Sequence, residues 1–355
     1  MTTALTHFTI RPEWLAATVE PALDPAQPVV DAHHHLYDRP STRYLLQDYL
    51  ADIQPGHDIR ASIAVQARAM LRADGPLEMR PTGETEFLNG MAAMSASGIY
   101  GPARVCAGIV GFADLLLGDA VRPVLERQIM AGGGLSAHGG RFCGIRMPLA
   151  WDADVRLLNS AYPSTRDMID SSAFRAGFTH LAELGLSFDV WGFYPQMSDI
   201  ARLARAFPQT RIVVDHCGGV VRVGAHAGRE DMFDIWRAGL DALVSCPNVT
   251  IKLSGLGMEL SGFGLPALDQ APGSRHLARL WRPWLIQCVE AFGPERCMWG
   301  SNFPVDKGSH SMTVGLNAVK CIFGDASQDE RDAIFWRTAC RFYGIALPEP
   351  APQGS

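Results

Sequence analysis

Two histidines spaced one residue apart, His33 and His35 in Val30-Asp31-Ala32-His33-His34-His35-Leu36-Tyr37-Asp38, are the first residues with readable chemistry. They follow an apolar run, and side chains alternate across a strand, so His33 and His35 share one face while His34 takes the other. Neutral imidazoles placed this way at a strand end can grip one ion; the same residues also suit an ordinary polar loop. A third histidine, His216, closes Val213-Val214-Asp215-His216 just before Cys217-Gly218-Gly219. It places polar chemistry at the end of its strand, or is a histidine satisfied by a loop carbonyl.

Further polar residues stand at or near the ends of other apolar runs. Arg146 follows Phe142-Cys143-Gly144-Ile145. Its guanidinium could hold a carboxylate or polarise a carbonyl by a bidentate contact, or form an ion pair within a wall of strands. Lys252 lies in Val249-Thr250-Ile251-Lys252-Leu253 opposite the apolar face. It must meet a buried anion or shed its proton, as a structural ion pair or as a catalytic group. Trp191 and Tyr194 suit a pocket wall or rim packing. Asn302 and Asp306, after Met298-Trp299-Gly300, could orient a ligand and move protons, or cap a turn.

The elements that must carry these residues repeat along the chain. Eight β-rich runs, 29–33, 62–66, 104–110, 142–146, 186–191, 211–216, 249–253 and 296–300, alternate with stretches of helical apolar spacing. The helical spacing is clearest at Met197, Ile200, Leu203 and Ala204, with Ser198 as the expected N-cap, and over Trp281 to Phe292. The pattern predicts an α/β fold, a distorted (β/α)8 TIM barrel with long loops, around Met70–Gly83 and Trp151–Ser172, over its C-terminal face. An open doubly wound sheet is the rival. It should carry a Gly-rich turn after its first strand, where this chain has three histidines.

The 355 residues divide into an N-terminal extension (1–28), the barrel (29–346) and a Pro-rich tail (347–355). Hydrophobic residues at 47%, with a net charge of -6, fit a globular protein without a polyanion-binding surface, so nucleic acid is not an expected partner. The eight cysteines lack metal-binding spacing and point to a reducing compartment. No apolar stretch reaches signal-peptide or membrane-spanning length, and a cytoplasmic location is expected.

The strand-one triple histidine, Leu186-Ser187-Phe188-Asp189-Val190-Trp191, Val214-Asp215-His216-Cys217-Gly218-Gly219, Ile251-Lys252-Leu253-Ser254-Gly255-Leu256 and Trp299-Gly300-Ser301-Asn302-Phe303-Pro304 together resemble the amidohydrolase-related family, also called amidohydrolase family 2, from about Pro28 to Tyr343. Within it the chain is similar to the sugar-lactone and pyrone-dicarboxylate lactonases. The resemblance implies hydrolysis of a lactone or related carbonyl ester of a small, acidic metabolite at the strand C-termini. It implies a divalent metal, zinc foremost, on His33, His35 and His216. Some members of the lactonase branch work without metal. Asn302 stands where the family usually has an aspartate, and a neutral amide cannot serve as a general base. Tyr194 and Met147 stand where a histidine is common. On this reading His216, Asp306, Asn302 and Arg146 are the catalytic candidates, and Arg146, Tyr194, Trp191 and Lys252 the substrate-binding ones. Decarboxylation or hydration on the same barrel, and a non-catalytic metabolite-binding barrel, are the alternatives. A homodimer through the outer helices is compatible with the fold.

Overall fold

The computed structural model describes residues 8–348 apart from 41 and 55. Eight parallel strands form one sheet in sequence order. They are β1 (Pro28–His34), β2 (Asp58–Val65), β3 (Arg104–Gly111), β4 (Phe142–Arg146), β5 (Ser187–Val190), β6 (Ile212–Val214), β7 (Val249–Leu253) and β8 (Cys297–Trp299). Each neighbouring pair from β1 to β8 is joined by a parallel ladder. Between β8 and β1 a single bridge, His34 with Phe303, takes the ladder's place. The barrel is therefore nearly closed, and each predicted run contains or overlaps one of its strands.

Alternation decides what fills the barrel. Val30, Ala32, Ile63, Val110, Val213 and Met298 pack in one cluster with Phe342 and Tyr343, so the C-terminal helix Thr338–Tyr343 plugs the interior. The complementary residues, such as Val29, Ile109, Ile145, Phe188, Val214 and Ile251, pack outward with the surrounding helices. In β7 this leaves Thr250 and Lys252 on the interior face.

Two helical expectations are refined. The helix after β5 spans Met197–Ala206, but its N-cap is Gln196, with no side-chain cap. A 3-10 turn, Tyr194–Gln196, runs straight into it, so the helix begins before Ser198 can cap it. The helix ending at Phe292 starts at Ser274, well before Trp281. Among the described residues no helix is long and apolar enough to cross a membrane. The eight cysteines are free, and all but Cys321 are buried. Most of the expected tail, 349–355, lies outside the described residues.

Candidate functional site

The C-terminal ends of β1, β4, β5, β6 and β7 bring a charged cluster to the base of the barrel mouth. Lys252 Nζ lies 2.6 Å from Asp189 Oδ2, 3.2 Å from Asp215 Oδ1 and 3.1 Å from His33 Nδ1, all fully buried. Tyr343 Oη, from the plug, donates to the same Asp189 oxygen at 2.7 Å. Arg146 sits on the other side, with Nη1 3.3 Å from His33 Nε2 and 3.5 Å from Asp215 Oδ2. Its Nη2 donates to Gln66 O at 2.6 Å, whereas its Nε has no partner. Two cations thus face two carboxylates, the arrangement burial demands. Lys252 is an interior ion-pair partner, and it is not on the wall of the cavity described next.

The three imidazoles form a chain of ring contacts. His33 is 4.9 Å from His35 and 4.5 Å from His216, centroid to centroid, and His216 meets the edge of Trp191 at 4.9 Å. His34 turns away, stacked on Tyr49 at 4.2 Å, as alternation requires. Burial depresses the pKa of all three: first burial and then Lys252 for His33, burial and then Arg146 for His35, and burial for His216, which falls to about 3. The rings are therefore neutral at physiological pH; His35 and His216 each keep a nitrogen for a ligand, whereas both nitrogens of His33 face the cationic groups of Lys252 and Arg146. Burial raises the pKa of Asp215, but Lys252 and His33 outweigh it and hold the carboxylate well below its usual range.

Above this cluster opens a cavity of about 530 Å³, within the range of small-molecule sites. His35, Arg146, Trp191, His216 and Asn302 are on its wall. Asn302 donates through Nδ2 to Asp306 Oδ1 at 2.8 Å, and its buried Oδ1 has no partner. Asp306 lies behind it, accepts Gly257 N at 3.0 Å and lines a separate cavity of about 20 Å³ with Trp281 and His310. Tyr194 is not brought to the large cavity. Its hydroxyl is 2.8 Å from His226 Nδ1, and His226 Nε2 is 2.7 Å from Asp152, so long-range partners in two loops turn it aside. Tyr162, from the long loop after β4, does reach the wall, and its hydroxyl donates to Gln66 at 2.6 Å.

Donor atoms of His33, Asp215 and His216 lie within 4.8 Å of one another. Asp215 thus stands in the group where His35 was expected; Nδ1 of His35 donates instead to Val65 O at 2.8 Å. Two imidazoles and a carboxylate suit zinc and leave a coordination position open. Both oxygens of Asp215 are buried without a hydrogen bond. The residues present therefore fit a divalent ion, which would share the Asp215 carboxylate with Lys252.

Asp189 and Asp215 are site residues that no motif in the sequence singles out. A lysine on the interior face of β7 required an interior acid, and both aspartates stand in or directly after apolar strands. Phe8, Thr9 and Arg11, which no sequence pattern marks, line the large cavity from ahead of β1.

Comparison with known proteins agrees with this fold. The amidohydrolase family matches residues 30–345. An L-fucono-1,5-lactonase of Burkholderia multivorans is 30% identical over 338 residues, covering 91% of this chain and 97% of that one. A crystal structure of an amidohydrolase from Burkholderia multivorans with bound zinc is 27% identical, covers 90% of this chain and 99% of its own, and superposes with a TM-score of 0.66. A probable 2-pyrone-4,6-dicarboxylic acid hydrolase of Acinetobacter baumannii shares the fold at 15% identity and a TM-score of 0.60, covering 89% of this chain and 99% of that one. With the match running from β1 through the plug helix, this chain belongs to the amidohydrolase family.

Proposed function

We propose that this chain is a hydrolase that opens a lactone, or a similar carbonyl ester, of a small metabolite. The observation that carries the reading is the convergence of His35, His216, Arg146 and Asn302 on one cavity wall at the strand C-termini. Ester hydrolysis needs an acceptor for the proton of the attacking water, donors for the charge that develops on the carbonyl oxygen, and a proton for the departing ring oxygen. His35 donates from Nδ1 to Val65 O, so its Nε2 keeps a lone pair. His216 is held through Nδ1 by Ser254 Oγ at 2.9 Å, which leaves its Nε2 for a divalent ion or, with no ion bound, for the same task as His35. These imidazoles take the proton from water and return it to the ring oxygen as the ring C–O bond breaks. The unpartnered Nε–H of Arg146 is a donor for the carbonyl oxygen, and Oδ1 of Asn302 an acceptor that orients water. The name of the Burkholderia multivorans lactonase supports a sugar-acid lactone as the substrate class.

His33, Asp215 and His216 would hold a divalent ion, zinc foremost. When bound, such an ion supplies Lewis-acid polarisation and lowers the pKa of water. The decisive measurement follows proton release and carbon dioxide together over a panel of five- and six-membered lactones. One proton per ring opened and no carbon dioxide is expected. Replacing His35 and His216 together by Ala should lower kcat/KM about a hundred-fold or more with the far-UV spectrum unchanged. Carbon dioxide release, or wild-type turnover in the double variant, would overturn the reading.

A further inference from the structure

The residues ahead of β1 lie outside the stretch that matches the family, yet they form part of the cavity wall. Phe8 packs against Tyr37, Ala67 and Ala69 at the ends of β1 and β2. At Gly308 a Cβ would stand 3.2 Å from Phe8 Cβ and 3.5 Å from Thr9 O, so the bare backbone there lets the segment lie close. From this point the chain crosses to the loop after β7. Nη2 of Arg11 donates to Pro266 O at 2.7 Å, Trp14 Nε1 to Leu268 O at 3.0 Å, and Thr18 Oγ1 to Ala271 O at 2.6 Å. Residues 8–18 are thus a strap pinned at both ends across one side of the mouth.

Within the strap, Arg11 is the residue with recognition chemistry. Its guanidinium lies over the Trp14 ring at 4.0 Å and uses one N–H on Pro266 O. It forms no ion pair among the described residues, although the exposed Glu259 shares the cavity wall. Arg146 differs, being ion-paired to Asp215 and bonded to Gln66 O at the base of the site. The cavity therefore has one guanidinium tied into the reacting cluster and a second, at the strap, which among the described residues has no ion-pair partner and uses one of its N–H groups.

We infer that Arg11 is a specificity-determining residue that binds a carboxylate on the substrate, so that the ester this chain opens is an anionic lactone held between the strap and the histidines. The inference rests on the lactone reading above and names the substrate class within it. A guanidinium fixed by a ring face and a carbonyl loses little freedom on binding, and it presents two parallel N–H groups to a carboxylate.

The test uses two six-membered lactones that differ at one carbon, one with a carboxylate and one with a hydroxymethyl group, on the wild-type protein, Arg11→Gln and Arg11→Lys. Arg11→Gln should raise KM for the carboxylated lactone about ten- to a hundred-fold, leave its kcat within roughly two-fold and leave the neutral lactone unchanged. Arg11→Lys should recover part of the loss, since it restores charge without the fork. Equal effects on both lactones, or none, overturn the inference. Calorimetry with the ring-opened dicarboxylate reads Arg11 independently of turnover. Binding at least about ten-fold weaker in Arg11→Gln supports the assignment, even if neither lactone is hydrolysed, in which case the hydrolytic reading alone fails. Equal affinity in the two proteins, or no binding to either, overturns it.

Discussion

Asn302 owes its orientation to one carboxylate. An ionised Asp306 can only accept hydrogen bonds, so the amide must turn its NH2 toward Asp306 and its oxygen away. That arrangement depends on the charge of Asp306, whose pKa burial pushes up to about 7 against the hydrogen bonds from Asn302 and Gly257. Because the folded value lies above the ordinary 3.8, the native chain holds this proton more tightly than the unfolded one. The stability linked to it is fully present below about pH 4 and is lost as the pH rises through about 7. Replacing Asn302 by Asp sets a second buried carboxyl beside the first, and two such groups share one proton. Asn302→Asp should melt below the wild type, with the gap growing from pH 6 to pH 9 to the equivalent of about 3 kcal/mol. Thermal denaturation at several pH values checks this; a gap that stays flat would show that Asp306 does not titrate in that range.

His216 is aimed by two loops rather than by its strand. It stands at φ 55° with Cys217 at 53°, and the next loop closes over it at Gly255, φ 72°. A Cβ on Gly255 would come 2.5 Å from His216 Cγ. Gly255→Ala therefore combines a left-handed backbone cost of about 1–2 kcal/mol with displacement of the imidazole. We expect kcat/KM to fall about ten-fold or more while the melting temperature drops only a few degrees, so that activity is lost well before the fold. Unchanged kinetics would mean that this loop does not hold the ring. The same contrast explains what could be read from the sequence. Short apolar runs rich in β-branched or aromatic residues announce strands locally, so the bounds of Phe142–Arg146 and Val249–Leu253 follow from the sequence to the residue. His33, Arg146 and Asn302 stand at strand ends, where a barrel gathers its chemistry, so their positions follow from the strands alone. Tyr194 lies away from the large cavity because its partners, His226 and Asp152, come from separate loops that no local pattern joins. Arg11 was unread because the strap has no period or motif, and its meaning lies wholly in what it lies against.

At the scale of the whole barrel, the weak seam is the one between β8 and β1. The regular ladder stops there, and two backbone bonds, Asn302 N to His33 O and His35 N to Phe303 O, both 2.8 Å, continue beyond it. Asp31 supplies the rest of the closure. Its carboxylate accepts Ser301 N at 2.8 Å, Ser301 Oγ at 2.6 Å, His33 N at 3.1 Å and Tyr49 Oη at 2.9 Å. One buried side chain thus ties the first strand to the loop after the last, 270 residues away, and fixes the backbone that presents His33 and Asn302 together. Asp31→Asn keeps the shape but removes the charge and puts an NH2 where Oδ2 accepts from two hydroxyls, so the Ser301 and Tyr49 hydroxyls must reverse and all four bonds lose their charge assistance. The expected cost is about 3 kcal/mol, since hydrogen bonds to a charged group are worth about 1.5–3 kcal/mol each. The seam should open before the remaining ladders do. In hydrogen exchange, peptides carrying the His35 and Asn302 amides should lose protection in Asp31→Asn while those from β4 to β6 keep theirs. Protection lost evenly around the barrel would mean instead that the seam opens only with the whole sheet, and that the site is as stable as the fold that carries it.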